Sequence, residues 1–586
     1  MASPAAKAPA AAPTPLRVLA GASIAAIAFF LLQILTFGYG RDQGIYAVVA
    51  RSIIEGGMPY RDAWDFKPPG IFLVFALSRA VFGEGQHGIR VLEVIGLIAM
   101  IAGMMRLSEQ LWGRRIIGLA AGALAVMVHA QLDFWHTAQP ESFGGMATIF
   151  GLVVALSGER RASGGDRRKA AIFWIAAGVL FGAAGLLKPP LAGGGAATAA
   201  VLGWKGYMAA RGGAGRISFK DLRRAIDPAI FIAIGGAVPF AACLAWFGAK
   251  GALRDLYEVL FVFTPYYTAI GWEGASVLGM AYYGFTEWLT NYSSLVTAGI
   301  FLAAVLRRDP AAPDAASAPS ATDAPDAPDA TQGRLVFPEG SALGAILLAS
   351  VIGVHVAGVS MQGKFFPYHY GATWPPTAML AALGLHRAWE RYGRRSPLRM
   401  VLFFVALVVA GFGSSATKDV PGSSLQRSLK RIALFTASPR DQGDIDRMAS
   451  VADVNAAANR AVADFIRARV PPGKPVFVWG FEPVIYDLAD RPFSSRYIYN
   501  VAQRVAWAKA PARASLMREL AARPPAAIVV EHRDVFPMVT GDAIDSADTL
   551  HDFHALRDLI RDRYEIATSI EDLDIYLEAP ANPSGH

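Results

Sequence analysis

The sequence predicts a polytopic α-helical membrane protein with a small α/β domain at its C-terminal end. Three observations predict it. Hydrophobic residues make up 54% of the 586 residues and charged residues only 17%, and the mean hydropathy is +0.35. A soluble globular protein carries about a quarter of its residues charged. The apolar residues gather into segments close to the ~20 residues that cross a bilayer. The arginines and lysines fall in short runs between those segments, so the net charge of +8 reads as membrane topology rather than nucleic-acid affinity. An ordinary soluble enzyme is excluded. The single cysteine, Cys243, lies in an apolar segment and reads as a small buried hydrophobe. An intramolecular disulfide framework and a multi-cysteine metal site are excluded with it.

Taken in order, the candidate spans are residues 18–37, 89–105, 116–128, 143–156, 170–187, 191–208, 229–247, 292–306, 342–359, 372–385 and 398–412, about eleven in all. The first is too long for a signal-peptide core and is followed by further spans, so it reads as an uncleaved helix. Residues 71–82 are apolar but short and contain Arg79, which fits an interfacial or re-entrant helix in the first outer loop. With the N-terminus inside, the cytoplasmic loops carry the runs around Arg106–Arg115, Arg160–Lys169, Lys205–Arg224, Arg307–Arg308 and Arg387–Arg399. The alternate loops are poorer in both residue types, as the positive-inside rule requires. This places the N-terminus in the cytoplasm and the C-terminal domain on the extracytoplasmic side.

Residues 1–16 and the cytoplasmic stretch 309–333 are low-complexity segments rich in Ala and Pro, and are expected to be disordered. The membrane domain then occupies residues 17–415 and the α/β domain 416–586. In the latter, helical patterns at 451–470, 482–490, 504–523 and 550–564 alternate with short apolar strands at 475–480, 526–531 and 573–577. No glycine-rich phosphate fingerprint follows the first two strands, which leaves nucleotide binding unsupported.

Ionisable residues in an apolar protein are functional candidates, because burying them is costly. Here they share one side. The first outward loop, 38–70, places Asp42 directly after the first span and runs into an amphipathic stretch with Ile45, Val48, Val49 and Ile53 at helical spacing. Tyr60, Asp62, Asp65 and Lys67 follow, and Pro68 and Pro69 stiffen the return to the membrane. The next outward loop supplies Asp133, His136 and Glu141, the one after the fifth span Lys188 before a Pro pair, and the one after the ninth Lys364, His369 and Tyr370.

Each has a plainer reading. A lysine at a helix end snorkels to the headgroups. Pro pairs terminate helices, and His129 and His136 serve as hydrogen-bonded structural residues. Asp133, His136 and Glu141 meet no metal-ligand spacing. The aromatic run 257–272 reads as an interfacial belt. The shared side is what favours a site.

An Asp after the first span, an amphipathic helix and then Gly57-x-Pro59-Tyr60-x-Asp62-x-x-Asp65-x-Lys67-Pro68-Pro69 resemble the polyprenyl-phosphate-dependent GT-C glycosyltransferases. These include bacterial lipopolysaccharide sugar transferases, lipid A aminoarabinose transferases and protein O-mannosyltransferases. Gln139-Pro140-Glu141, Leu187-Lys188-Pro189 and the run from Lys364 to Tyr370 fall where such enzymes place polar motifs, and the resemblance covers residues 18–415. It implies a GT-C-like fold and transfer of a sugar from a polyprenyl-phosphate donor to an acceptor hydroxyl on an envelope glycolipid, polysaccharide or protein. Asp42 and Glu141 would be catalytic. Tyr60, Asp65, Lys67, Lys188, Lys364, His369 and Tyr370 would bind substrate.

Many relatives carry two adjacent carboxylates at the first-loop position, where this chain has Asp42-Gln43. That weakens the case for a bound divalent cation, and no cofactor is assigned. The rival classes are a transporter or lipid-linked sugar flippase, which would hold ionisable residues near the bilayer midplane, and a ligase or polymerase of surface glycans, which would lack the first-loop motif.

Overall fold

The computed structural model describes residues 15–131, 136–211, 218–290, 294–305, 335–337, 341–392, 398, 402, 405, 424–436, 441–450 and 454–580. Most of the N-terminal tail and all of 309–333 lie outside them, as does Asp133.

Among the described residues, six helices are long and apolar enough to cross a membrane, or seven if one bent pair counts as a span. The expectation of about eleven is corrected. Four of the spans are the helices α1 (Pro15–Ile34), α4 (Gln86–Trp112), α6 (Pro140–Ser163) and α7 (Arg167–Leu187). The fifth is α9 (Phe219–Ala249) and the sixth the helix Leu343–Gln362. The excess has physical reasons. The helix α5 (Arg115–Ala130) has only 16 residues, short of the ~20 needed. The helix α8 (Gly193–Arg211) is largely Gly and Ala and carries Lys205, while Trp374–Tyr392 opens on Trp-Pro-Pro and ends with Arg387, Glu390 and Arg391. The candidate 292–306 falls in the pair Val277–Thr290 and Leu295–Val305, bent by 108°. The candidate 398–412 lies almost wholly outside the described residues.

The first loop folds as two short helices, α2 (Arg41–Ile54) and α3 (Gly70–Phe82), joined by the Tyr60–Pro69 segment. Gly40 lies extended at the N-cap of α2, and Ile45, Val48 and Val49 are buried, as their helical spacing requires. The segment ends where α3 meets α7. A Cβ on Gly70 would stand 2.6 Å from the Leu186 carbonyl, so only glycine lets the loop carrying Lys67 close against the helix end carrying Lys188.

The helices α6 and α7 pack antiparallel. Arg160 and Arg161 end α6 and Arg167, Arg168 and Lys169 begin α7, so these cations share one end of the pair. Glu141 and Lys188 occupy the other end.

The C-terminal region holds a four-stranded sheet in the order β1-β2-β4-β3, from β1 (Val476–Trp479), β2 (Ala527–Glu531), β3 (Tyr564–Ile570) and β4 (Leu573–Glu578). Strands β1 and β2 are parallel, with Val476 opposite Ala527, and both are wholly buried, in keeping with their unbroken Val/Ile runs. The hairpin β3–β4 adds antiparallel to β2. Strand β3 is an edge that the sequence pattern missed; beyond Tyr564 its residues lie mostly at the surface. The sheet unit sits on the first loop, where Trp64 N donates to Arg496 O at 2.8 Å and Arg79 pairs with Asp487 at 2.8 Å.

Candidate functional site

Asp42 projects from the first turn of α2, half-buried, and accepts from Lys67 Nζ at 3.2 Å. Lys67 follows the Tyr60–Asp65 turn, with its ammonium 4.6 Å from the Phe66 ring centre and 5.7 Å from that of Tyr46. Burial pulls this ammonium down, but Asp42 and Asp65 more than reverse the effect and hold it above the ordinary lysine range. It is a permanent cation. Burial and then the charge of Asp42 hold the Tyr368 phenol well above its ordinary value, so a lysine and a phenol lie close to this carboxylate.

Next to this pair, Glu141 lies one residue into α6, buried, and forms an ion pair with Lys188, the C-cap of α7. The other oxygen of Glu141, Oε2, has no partner. Burial lowers Lys188; Glu141 opposes this and the nearby Lys67 charge adds to it. Lys364 caps the far side. Its Nζ donates to the Met538 carbonyl at 2.5 Å, lies 4.7 Å from the Tyr267 ring centre, and is pushed down by burial to about 8. His369 Nδ1 donates to the Lys364 carbonyl at 2.5 Å. Burial and the surrounding charges of Lys188, Lys67 and Lys364 hold its imidazole well below its usual value, so it is neutral.

Not every residue singled out in the sequence faces this centre. Tyr60 is fully buried with φ 72°, and its hydroxyl donates to the Lys67 carbonyl at 2.8 Å, so it shapes the loop. Tyr370 donates to the Gly284 carbonyl at 3.0 Å, away from Asp42. Asp65 is wholly buried beneath Lys67, accepts from Tyr499 of the sheet unit at 2.6 Å, and is raised by burial. His129 and His136 are held structurally, by Glu93 at 2.8 Å and by the Val128 carbonyl at 3.1 Å.

Sequence reasoning missed Tyr368, Tyr267 and Tyr499, and a buried pair inside α4. Arg90 donates to the carbonyls of Phe37 at 3.2 Å and Gly38 at 2.6 Å, to Thr137 Oγ1 at 2.6 Å, and to Glu93 at 3.3 Å. Glu93 also accepts from Ala138 N at 2.5 Å. The pair thereby fastens the start of the Asp42 loop to the start of the Glu141 helix. Two opposite charges three residues apart in an apolar span were the available signal.

The residues here do not fit a metal. Among the described residues no group of three or more His, Cys, Asp or Glu could hold one. Gln43 is fully buried, accepting from Gly40 N and donating to the Thr137 carbonyl, both at 2.8 Å. What the arrangement offers is a carboxylate able to take a proton beside lysines able to hold an anion.

No family model and no curated protein matches the chain. Solved structures do match. ArnT from Cupriavidus metallidurans bound to undecaprenyl phosphate aligns over 97% of this chain and 99% of that chain, at 15% identity and a TM-score of 0.53. The apo state of the same protein aligns over 95% and 97%, at 14% identity and a TM-score of 0.52. The archaeal oligosaccharyltransferase AglB from Archaeoglobus fulgidus, in complex with an inhibitory peptide and a dolichol-phosphate, aligns over 87% and 69%, at 13% identity and a TM-score of 0.40. The likeness to ArnT gives the fold, a multi-pass helical membrane architecture.

Proposed function

We propose that the protein is a membrane glycosyltransferase that moves a sugar from a polyprenyl phosphate to an acceptor hydroxyl on the extracytoplasmic side. The observation that carries this reading is the meeting of Asp42–Lys67 with Glu141–Lys188, drawn from separate parts of the chain to one end of the helices. The proposal takes residues 17–415 as the transferase body and 416–586 as an extracytoplasmic domain. The placement of the arginine clusters at the opposite end of α6 and α7 supports that orientation. That a solved protein of this fold holds undecaprenyl phosphate supports the donor class.

In the proposed reaction, Asp42 takes the proton of the acceptor hydroxyl as the acceptor oxygen bonds to the anomeric carbon. The bond from that carbon to the phosphate oxygen breaks, and the electron pair leaves with the lipid phosphate. Its charge is met by Lys67 and, once drawn from Glu141, by Lys188. Lys364 adds positive potential from the far wall. His369, being neutral, orients rather than attracts, and Asp65 and Tyr60 hold the Lys67 loop from below. No step is routed through a metal.

The test is Asp42→Asn. Asn has the size and shape of Asp and Asp42 does not cap α2, so the variant should fold and still bind undecaprenyl phosphate. Transfer, read as the sugar missing from envelope glycans of a deletion strain by mass spectrometry and restored by the wild-type gene, should fall about 10²–10⁴-fold. Retention of more than about a tenth of wild-type transfer would remove Asp42 as the base.

A further inference from the structure

Beyond the donor centre, a cleft of about 560 Å³ opens between α2 and the sheet unit. Its floor is Arg41, the residue before Asp42, so it opens next to the proposed base. Its walls come from unconnected pieces: Asn455 and Asn459 at the start of the helix Ala456–Arg469, Glu482 after β1, Glu531 at the end of β2, and Phe536.

The lining is preorganised. Arg41 Nε lies 3.0 Å from Glu482 and its Nη2 3.5 Å from Glu531, with the guanidinium 4.8 Å from the Phe536 ring centre. Asn459 donates to Glu482 at 2.7 Å, and Phe481 N to Glu531 at 2.5 Å. Glycine at 480 is what admits Glu531, since a Cβ there would stand 2.4 Å from its carboxylate oxygen. Each Glu531 oxygen, with one partner, can accept a second bond. Amides, carboxylates and a guanidinium around one aromatic ring form a hydrogen-bonding surface suited to a polyol.

The charge narrows the ligand. Arg41 and Arg533 face Glu482, Glu531, Glu571 and Asp572, whereas the donor centre matches Lys67, Lys188 and Lys364 with Asp42, Asp65 and Glu141. The excess of carboxylates in the cleft would sort substrates, because juxtaposed like charges penalise an anionic one. We infer that this cleft binds the acceptor, and that it takes a neutral or amine-bearing glycan rather than one presenting a phosphate or uronate. The inference rests on the sugar-transfer reading and adds the chemical class of the acceptor.

The experiment is calorimetric titration of the full-length protein in nanodiscs with three probes: chitotriose, its fully deacetylated amine form, and trigalacturonate. The first two should bind, and trigalacturonate at least about tenfold more weakly. Glu482→Gln should weaken the amine probe about tenfold and leave undecaprenyl phosphate binding unchanged. Should that variant fail to fold, Asp572→Lys at the half-exposed rim reads the same charge with the opposite sign: trigalacturonate should bind more tightly than to wild type, a gain that damage does not produce. Trigalacturonate binding as well as chitotriose, indifference of all probes to both variants, or no saccharide binding at saturating concentration would each overturn the inference. Lys67→Ala separates it from the donor reading. If that variant loses undecaprenyl phosphate while the cleft binds no sugar, the cleft alone is lost.

Discussion

Lys67→Met removes the charge at the proposed phosphate site while keeping the length and apolar stem of the side chain. Lys67 sits 3.2 Å from Asp42, with the two side chains 20% and 24% exposed. At an effective dielectric of about 20, that separation corresponds to a gross attraction of about 5 kcal/mol between unit charges. Little of this survives as net stability, since both groups were hydrated in the unfolded chain. The same ammonium turned to a lipid phosphate would form a charge-assisted hydrogen bond with a net value of about 1.5–3 kcal/mol. Its loss corresponds to about 10- to 150-fold weaker binding. The assay is competition of unlabelled undecaprenyl phosphate against a fluorescent analogue on protein in nanodiscs at fixed ionic strength. Lys67→Arg, which keeps the charge, should lie between wild type and the Met variant. A Met variant that binds within about threefold of wild type would refute the argument, because no such charge-assisted contact costs so little.

Three further outcomes follow from the same geometry. Arg90→Met removes the donor to Phe37, Gly38, Thr137 and Glu93 and should lower stability by about 3–5 kcal/mol, seen as earlier thermal loss of the monodisperse peak; adding Glu93→Gln should cost far less than the two changes summed. Lys364 is lowered to about 8 in the folded protein, so between pH 8 and the ordinary lysine value the unfolded chain binds the extra proton and stability should rise with pH. Lys364→Met should flatten that rise, as read by thermal unfolding at pH 7.5–10. Single cysteines replacing the exposed His87 and Asp562, in a Cys243→Ala background, should react with an impermeant thiol reagent in intact spheroplasts. Labelling confined to inside-out vesicles would reverse the orientation.

The sequence made the core of the centre readable because its residues lie in different loops yet at one predicted interface. Asp42 pairs with Lys67 and Glu141 with Lys188 although about eleven expected spans became six or seven. The count failed because an apolar stretch of 13–18 residues was credited with crossing. In α5 the helix is too short, and in α8 glycine and alanine keep it weakly apolar. Tyr368 and Tyr370 both lie in the 3₁₀ turn Pro367–Thr373, where neighbours two apart face different ways, and Tyr368 is the one beside Asp42. Tyr499 was out of reach, since it meets Asp65 across 434 residues of chain. Arg90 and Glu93 were readable and overlooked, two charges in a stretch judged only by its mean hydropathy.

Gln43 shows how such a joint constrains the chemistry available at the site. Its amide accepts from Gly40 N and donates to the Thr137 carbonyl, each at 2.8 Å in a fully buried setting. A carboxylate has acceptors only, so an ionised Glu at this position would satisfy Gly40 and face Thr137 with an unpaired carbonyl against its charge. The same Thr137 offers its hydroxyl to Arg90, and Ala138 N binds Glu93. Gly40, Gln43, Thr137, Arg90 and Glu93 therefore form one hydrogen-bonded strut from the Asp42 loop to the Glu141 helix. The neutral amide belongs to that strut, and the second carboxylate of an Asp-Glu clamp has no place in it. With that clamp absent, the proposed reaction draws the positive charge for the departing phosphate from side chains. In the proposed reaction Lys67 and Lys188 would supply it, each now paired with a carboxylate.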